Sequence, residues 1–207
     1  MTENYLAQYL VQEPLLIVIS GPSGVGKDAV IKAMKERQVE FHFVVTATTR
    51  SPRAGEVDGK DYIFVSSERF AEMIDRNELL EYALVYNDYK GVPKEQVRKA
   101  LASGKDVVMR VDVQGAAQIH ELIPDALLIF LTTQDEDELV RRLEVRHTET
   151  TTDRALRIAT ARQEFKRIPE YAYIVVNQDG ELDEAVDTIL AIIRAEHHRV
   201  QPRKAHL

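Results

Sequence analysis

Residues 15–31 read LLIVISGPSGVGKDAVI, a short apolar run that leads through a glycine-rich turn into an amphipathic segment. The apolar run is rich in β-branched residues, which is typical of a strand buried on both faces of a sheet. The glycines of the turn allow backbone conformations in which successive N–H groups point at one anion. The N-terminus of the following helix adds partial positive charge. This stretch therefore predicts an α/β fold built around a phosphate-binding loop.

The loop predicts a nucleoside triphosphate site because the full Gly-x-x-x-x-Gly-Lys spacing lies between a strand and a helix. A glycine-rich turn that only joins the two elements is the alternative. Lys27 can reach the terminal phosphates. The next position usually carries a hydroxyl that ligates Mg²⁺, but here it is Asp28, whose carboxylate also suits Mg²⁺, directly or through water. The predicted triphosphate-binding residues are Gly21, Pro22, Ser23, Gly24, Val25, Gly26, Lys27 and Asp28.

Composition limits the class of protein. The chain has 207 residues, 44% hydrophobic and 29% charged, which predicts one domain with insertions. A net charge of −7 argues against a nucleic-acid partner and predicts that basic residues are concentrated locally. The chain has no cysteine, which fits a reducing compartment. No secretory signal and no apolar stretch of about 20 residues is evident, so we expect a cytoplasmic protein without a membrane partner.

Strand-like and helix-like patterns alternate along the chain, which predicts a parallel sheet flanked by helices. Strands are predicted at 15–19, 41–46, 106–111, 126–131 and 173–176, and helices at 27–37, 93–102, 114–122, 136–146, 152–168 and 182–199. Residues 48–92 interrupt the alternation with a polar, tyrosine-rich segment and a short helix near 68–76, which we interpret as an insertion beside the sheet. The basic tail is expected to be solvated and frayed.

The insertion begins with a second informative motif, TTRSPRAGEVDGKDYIFV at residues 48–65. Arg50 and Arg53 lie three residues apart on a turn stiffened by Pro52, and Tyr62 follows. Such a group can converge on one phosphate through charge-assisted, bidentate hydrogen bonds. Taken alone, paired arginines are more often solvated surface charges.

Together the two motifs resemble guanylate kinases, with Thr-Thr-Arg-x-Pro-Arg-x-Gly-Glu-x-x-Gly-x-x-Tyr intact. The resemblance continues through residues 80–82, 112–115, 141–143 and 175–177, and so covers about 15–197. It implies a three-layer P-loop NTPase fold in which a parallel sheet is flanked by helices. The implied parts are a core (15–47, 93–140 and 169–197), a GMP-binding insertion (48–92) and a lid (141–168), with an N-terminal extension (1–14) and a basic tail (198–207).

The resemblance also implies the reaction, the ATP-dependent phosphorylation of GMP and dGMP with Mg²⁺, a step of purine nucleotide metabolism and GMP recycling. The implied catalytic residues are Lys27, Arg50, Arg142, Arg146 and Arg157, of which the last three resemble lid arginines. The implied GMP-binding residues are Thr46, Arg50, Arg53, Tyr62, Glu81, Lys90 and Asp112. Asn177 is implied near the adenine of ATP and Asp112 near Mg²⁺, which Asp28 is also expected to hold, directly or through water.

Guanine chemistry agrees with the role implied for Glu81. Guanine offers N1–H and N2–H₂ as neighbouring donors, whereas adenine offers no such pair and would leave a buried carboxylate unpaired. The alternatives are a solvated charge for Glu81, a helix cap for Asp112 and a surface salt bridge for Arg142. Three positions depart from the family pattern, namely Lys90 in place of a tyrosine, Val92 in place of a hydroxyl residue and Arg110 where an acidic residue is common.

Two other functions remain open from the sequence. Ribose bisphosphate phosphokinase, a smaller relative, also carries Gly-Lys-Asp in its loop, although the set of Arg50, Arg53, Tyr62 and Glu81 argues against it. A non-catalytic guanylate-kinase-like module would bind phosphorylated partners, but such modules typically lose the phosphate loop that Lys27 and its glycines retain. The expected partners are ATP and GMP, and the protein is expected to be a monomer or a homo-oligomer.

Overall fold

The central element is a five-stranded parallel sheet. The computed structural model describes residue 6 and residues 9–37, 39–85, 87–144 and 151–207. The sheet contains β1 (Leu16–Ser20), β2 (His42–Phe43), β7 (Val107–Arg110), β8 (Leu127–Thr132) and β9 (Tyr173–Val176). The strands lie in the order β2-β7-β1-β8-β9, so the strand that feeds the phosphate loop is central.

Helices cover both faces of this sheet, as a parallel sheet requires. They are α1 (Lys27–Glu36), α3 (Lys94–Ala102), α4 (Val113–Leu122), α5 (Glu136–Glu144), α6 (Thr151–Phe165) and α7 (Leu182–Glu196), whereas α2 (Ser67–Asp75) belongs to the inserted segment. Ile17 and Ile19 of β1 pack in the cluster that contains residues of α1 and α7, while Leu16 and Val18 pack with residues of α3 and α4. This period of two explains why the whole strand is apolar. In the part of the chain that the structure describes, no helix is long and apolar enough to cross a bilayer.

The inserted segment forms a second sheet. Its strands are β3 (Ala47–Thr48), β4 (Ile63–Phe64), β5 (Leu79–Val85) and β6 (Asp88–Pro93), in the order β4-β3-β6-β5. Phe70 and Met73 of α2 pack against Ala47 and Leu79 in a small separate core. The sequence predicted α2 but not the antiparallel hairpin of β5 and β6, which is joined near Asn87 at a φ of 73°.

The predicted parallel sheet and its flanking helices are confirmed, with differences at element ends. Strand β2 is shorter than predicted because the chain leaves the sheet at Val45, whose N–H and C=O bond the side chain of Gln96 at 3.0 and 3.1 Å. Helix α6 ends at Phe165, before a 3₁₀ turn over Ile168–Glu170. The predicted end of α5 falls on residues outside those that the structure describes.

The basic tail is mostly exposed, as predicted, but it is not frayed at Arg203 and Ala205, which are partly buried. Arg203 Nε lies 2.6 Å from Oε2 of Glu196, a carboxylate only 3% exposed. Ala205 packs against the core cluster that contains α3 and α4. His197 Nε2 lies 2.7 Å from Oδ2 of Asp106, which ties the end of α7 to the start of β7. The tail therefore folds back onto the body because a buried carboxylate needs partners.

Candidate active site

A cleft of about 670 Å³ separates the phosphate loop from the second sheet and α6. It lies at the carboxyl ends of the parallel strands, where α/β sheets commonly bind ligands. Its lining includes most of the residues predicted for the site, which come from four separate parts of the chain. These are Gly21, Ser23, Gly24, Gly26, Lys27, Asp28, Thr46, Arg50, Arg53, Tyr62, Lys90, Asp112 and Arg157.

The phosphate loop requires glycine at two crowded positions. Gly21 has a φ of 141°, and a Cβ there would lie 2.1 Å from the carbonyl oxygen of Leu131. Gly26 has a φ of 95°, and a Cβ there would lie 2.3 Å from Nδ2 of Asn177. The loop therefore packs closely against β8 and the end of β9. Helix α1 begins directly after Gly26.

Lys27 is held by the loop itself. Its ammonium group donates to the carbonyl oxygens of Gly21 and Pro22, the latter at 2.9 Å. Burial lowers the pKa of Lys27 to about 8, although Glu164, Asp28 and Asp112 favour the charged form. A bound polyphosphate would favour that form further, since an opposite charge nearby raises the pKa of an amine. The geometry therefore gives the loop a cation that can move from carbonyl oxygens to an anion.

Two residues that were predicted to contact the nucleotide support the phosphate loop. Asn177 donates through Nδ2 to the carbonyl oxygen of Val25 at 2.8 Å. Arg142 donates to the carbonyl oxygens of Asn177 at 2.8 Å and Val25 at 3.4 Å, and pairs with Glu138. Neither side chain lines the cleft. Both are directed at backbone carbonyl oxygens instead, because buried carbonyl groups need hydrogen-bond donors. Arg142 is not a surface salt bridge, and its predicted contact with the transferring phosphoryl group, like that of Asn177 with adenine, stays a prediction.

The arginine motif is organised by an acidic residue that sequence analysis did not single out. Glu56 accepts two hydrogen bonds of 2.7 Å from Arg50 and one of 2.7 Å from the backbone N–H of Arg53. The hydrogen bond from Arg50 lowers the pKa of Glu56 to about 2. The Arg50 guanidinium carbon also lies 4.8 Å from the centre of the Tyr62 ring. Arg50 is therefore fixed, while Arg53 is exposed at the rim of the cleft.

Glu81 is a buried carboxyl group, not a solvated charge. It lies on β5 opposite the fully buried Val92 and is 5% exposed. A Cβ on Gly115 would lie 2.5 Å from its Oε2, so the carboxyl group packs against the start of α4. Burial, together with repulsion by Asp112, raises the pKa of Glu81 to about 8, against the opposing effect of Lys90. No residue in the described ranges donates a hydrogen bond to this carboxyl group, so it has capacity for a ligand's donors.

The two predicted metal ligands each use one oxygen within the protein. Asp112 caps α4 by accepting the backbone N–H of Gly115 at 2.8 Å, and it also lines the cleft. Asp28 Oδ1 lies 2.6 Å from Nε of Arg110. Among the described residues, no cluster of three or more His, Cys, Asp or Glu could hold a metal alone. A pair of carboxylates nevertheless fits Mg²⁺, which commonly takes one or two of them together with phosphates and waters.

Helix α6 contributes cleft residues that sequence analysis missed. Thr160 and Glu164 line the cleft beside the predicted Arg157. Burial raises the pKa of Glu164 to about 7, although Lys27 opposes this shift. The signal was present in the sequence, since residues spaced three and four apart share one face of a helix. The predicted Arg146 lies outside the residues that the structure describes.

Known proteins of similar sequence show the family to which the chain belongs. The family model described as guanylate kinase matches residues 13–196. The chain belongs to the guanylate kinase family. Guanylate kinase 2, chloroplastic/mitochondrial, of Oryza sativa is 53% identical over 196 residues, which are 94% of this chain and 69% of that protein. The guanylate kinase of Caldanaerobacter subterraneus is 45% identical over 193 residues, 93% of each chain.

The structural comparison agrees with the sequence comparison. The crystal structure of guanylate kinase from Anaplasma phagocytophilum has a TM-score of 0.76 at 29% identity, and covers 91% of this chain and 88% of that one. The predicted resemblance and enzyme class are confirmed, so this guanylate kinase family member is a transferase that phosphorylates GMP to GDP with ATP. As a phosphotransferase, the family generally needs a divalent metal.

Proposed function

We propose that this guanylate kinase binds ATP and GMP together in the one cleft and also accepts dGMP, as a cytoplasmic step of purine nucleotide metabolism and GMP recycling. The observation that carries the proposal is the composition of the cleft walls. The phosphate loop with Lys27 forms one wall, and Arg50, Arg53 and Tyr62 lie in the other. Two phosphate-binding groups that share a cleft suit transfer of a phosphoryl group between two nucleotides.

The donor side is proposed to hold the triphosphate of ATP on the loop formed by residues 21–28. Lys27 exchanges the carbonyl oxygens of Gly21 and Pro22 for the terminal phosphates. Asn177 and Arg142 keep the loop in its binding conformation through the carbonyl oxygen of Val25. A loop organised before binding loses little entropy when ATP arrives.

The acceptor side is proposed to hold the phosphate of GMP on Arg50, Arg53 and Tyr62. Glu81 accepts guanine N1–H and N2–H₂, and Thr46 contacts the base from the cleft wall. Lys90 and Asp112 flank the same nucleotide. Adenine cannot satisfy a buried ionised Glu81, and a site with an unpaired buried charge rejects the wrong ligand strongly.

Transfer in this arrangement needs no protein nucleophile, because catalysis of phosphoryl transfer rests on positioning and on neutralising charge. Arg157, which lines the cleft, is proposed to neutralise the transferring group together with Arg146 and Arg142. The lid segment 141–168 and the insertion are proposed to close and exclude water, so that ATP is transferred and not hydrolysed.

The metal is proposed to be Mg²⁺, held by ATP phosphates and by Asp28 and Asp112, directly or through water. It would neutralise charge that develops on the phosphates. Asp28→Asn should weaken the dependence of turnover on Mg²⁺ concentration, measured by metal titration at fixed ATP. An unchanged Mg²⁺ dependence would show that Asp28 does not hold the metal and only contacts Arg110.

A coupled assay of ADP release tests the function directly, with GMP, dGMP, AMP and ribose bisphosphate offered in turn. GMP and dGMP should be phosphorylated, and AMP hardly at all. Preferential use of ribose bisphosphate would indicate the phosphokinase alternative, whereas binding of GMP without turnover would indicate a non-catalytic module. Equal rates with AMP and GMP would refute the role given to Glu81. A monomer or a homo-oligomer remains our expectation.

A further inference from the structure

Arg110 bridges the two walls of the cleft. It is the last residue of β7, and its side chain is only 14% exposed. Its Nε lies 2.6 Å from Oδ1 of Asp28, in the first turn of α1. Its Nη2 donates to the backbone carbonyl oxygen of Asp61 at 3.2 Å, between β3 and β4 of the second sheet. One side chain therefore joins the phosphate-loop helix to the segment that carries the arginine motif.

The bridge continues to the phosphate-binding residues of the acceptor side. The Arg110 guanidinium carbon lies 4.9 Å from the centre of the Tyr62 ring, and that of Arg50 lies 4.8 Å from the same ring. Contacts of this kind between a guanidinium and an aromatic face are favourable, more so when they are desolvated. An unbroken series of contacts thus runs from Asp28 through Arg110 and Tyr62 to Arg50, which Glu56 holds.

The geometry requires arginine and not merely a positive charge. The planar guanidinium presents its donors in a fixed fork, so one side chain can serve a carboxylate and a carbonyl group at once and still stack on a ring. Asp28 is 68% exposed, but Arg110 is only 14% exposed. Loss of Asp28 would leave a mostly buried guanidinium without its carboxylate, which costs more than loss of a fully exposed pair.

We propose that Arg110 is a positioning residue for the acceptor nucleotide, and that Asp28 holds it in place. Through Asp61 and Tyr62 it sets the distance between the phosphate of GMP and the phosphate loop. The inference rests on the proposal that Arg50, Arg53 and Tyr62 bind that phosphate. It assigns Asp28, at the hydroxyl position of the loop, a role in acceptor binding besides any contact with a metal.

Steady-state kinetics with GMP varied at saturating ATP and Mg²⁺, and with ATP varied at saturating GMP, test this assignment together with calorimetric binding of GMP alone. Arg110→Gln should raise both the KM and the Kd for GMP by about tenfold or more, the loss typical of charged hydrogen bonds, with a much smaller change in the KM for ATP. Arg110→Lys keeps the charge beside Asp28 but not the fork, so it should give an intermediate loss of GMP affinity. Asp28→Asn should also weaken GMP binding.

The double variant of Asp28→Asn and Arg110→Gln tests whether the two side chains affect GMP binding through one shared contact. If Asp28 acts through Arg110, the effects of Asp28→Asn and Arg110→Gln on GMP affinity should be clearly less than additive. The matched control is Arg37→Gln, which breaks the pairs with Asp183 and Asp187 between α1 and α7, away from the cleft. It should change GMP affinity by less than about threefold.

A purely structural Arg110 would lower the melting temperature and leave GMP affinity and the KM for GMP unchanged, and that result would overturn the proposal. Additive effects in the double variant would overturn the role of Asp28. If Arg110→Gln does not fold, Arg110→Lys alone tests the proposal. Wild-type GMP affinity in Arg110→Lys would contradict it, because the guanidinium donors of arginine would then not be needed. Failure of the wild-type protein to phosphorylate GMP would instead refute the proposed function itself.

Discussion

The buried carboxyl group of Glu81 predicts that GMP binding releases a proton. Burial and the nearby Asp112 raise the pKa of Glu81 to about 8, so the free protein holds this group mostly neutral at pH 7. Guanine presents two donors and therefore favours the ionised carboxylate, whose pKa falls when donors bind it. The proton must leave as guanine enters, and GMP affinity should rise with pH below about 8.

The magnitude follows from that pKa. A group with a pKa of about 8 is roughly one tenth ionised at pH 7 and roughly three quarters ionised at pH 8.5. GMP affinity should therefore increase about eightfold over this interval, and proton release per GMP should fall from about 0.9 at pH 7 to about 0.25 at pH 8.5. The interval lies above the second ionisation of a phosphate monoester, near pH 6.

Isothermal titration calorimetry of GMP in two buffers that differ in ionisation enthalpy counts the released protons. Glu81→Gln is the matched control, because it leaves Lys27 and Glu164 in place, whose pKa values of about 8 and about 7 lie in the same interval. The control should release correspondingly fewer protons and lose the rise in affinity with pH. At pH 8.5 it should bind GMP more weakly by about 2 kcal/mol.

Equal proton release by the wild-type protein and Glu81→Gln would refute this reasoning. It would mean either that Glu81 is already ionised before GMP binds or that guanine does not reach it. Binding of AMP separates these two cases. If Glu81 reads guanine but is ionised beforehand, AMP should still bind far more weakly than GMP, whereas a protein that binds both equally does not use Glu81 to read the base.

Three further substitutions test other parts of the site and fold. Lys27→Ala should reduce turnover by about a hundredfold or more and leave calorimetric GMP binding intact, and substantial remaining turnover would contradict the donor role of the loop. Arg53→Ala should raise the KM for GMP by about tenfold, and a change in the KM for ATP alone would reverse that assignment. Arg203→Ala should lower the free energy of unfolding by about 1–3 kcal/mol without affecting turnover, because it removes a partner of the buried Glu196. The control Arg199→Ala, which removes a more exposed partner of Glu196, should cost less in chemical denaturation, and equal losses would contradict the docked tail.

The sequence predicted those features that depend on neighbouring residues. The phosphate loop needs a strand, three glycines and a lysine within residues 15–31, and the structure places them as expected. The position of Asp112 at the cleft followed from its place after a predicted parallel strand. The helix cap, left open as an alternative, is also present. A short polar side chain directly before a helix can do both.

The features that the sequence did not predict are contacts between residues far apart in the chain. Arg110 and Asp28 are separated in the chain by α1, β2 and the whole inserted segment, and only the parallel pairing of β1 with β7 brings them together. The support of Val25 by Asn177 depends in the same way on the order of the strands. The hairpin of β5 and β6 was missed for a different reason, since β6 reads DYKGVP, a polar stretch with a glycine and a proline, which are depleted in strands.

The charges of the cleft connect these findings to the acidity of the whole protein. The net charge of −7 predicts that basic residues are concentrated locally. Among the residues that the structure describes, six lysine and arginine side chains and three acidic ones line the cleft. Acidic side chains in or beside the cleft work as internal partners, because Asp28 pairs with Arg110, Glu56 holds Arg50, and Glu164 favours the charged form of Lys27. These partners fix the positions of the cations before substrate arrives and reduce their mutual repulsion. Two nucleotides bring several negative charges into the cleft, so the cations that can exchange an internal partner for phosphate are the ones expected to bind substrate.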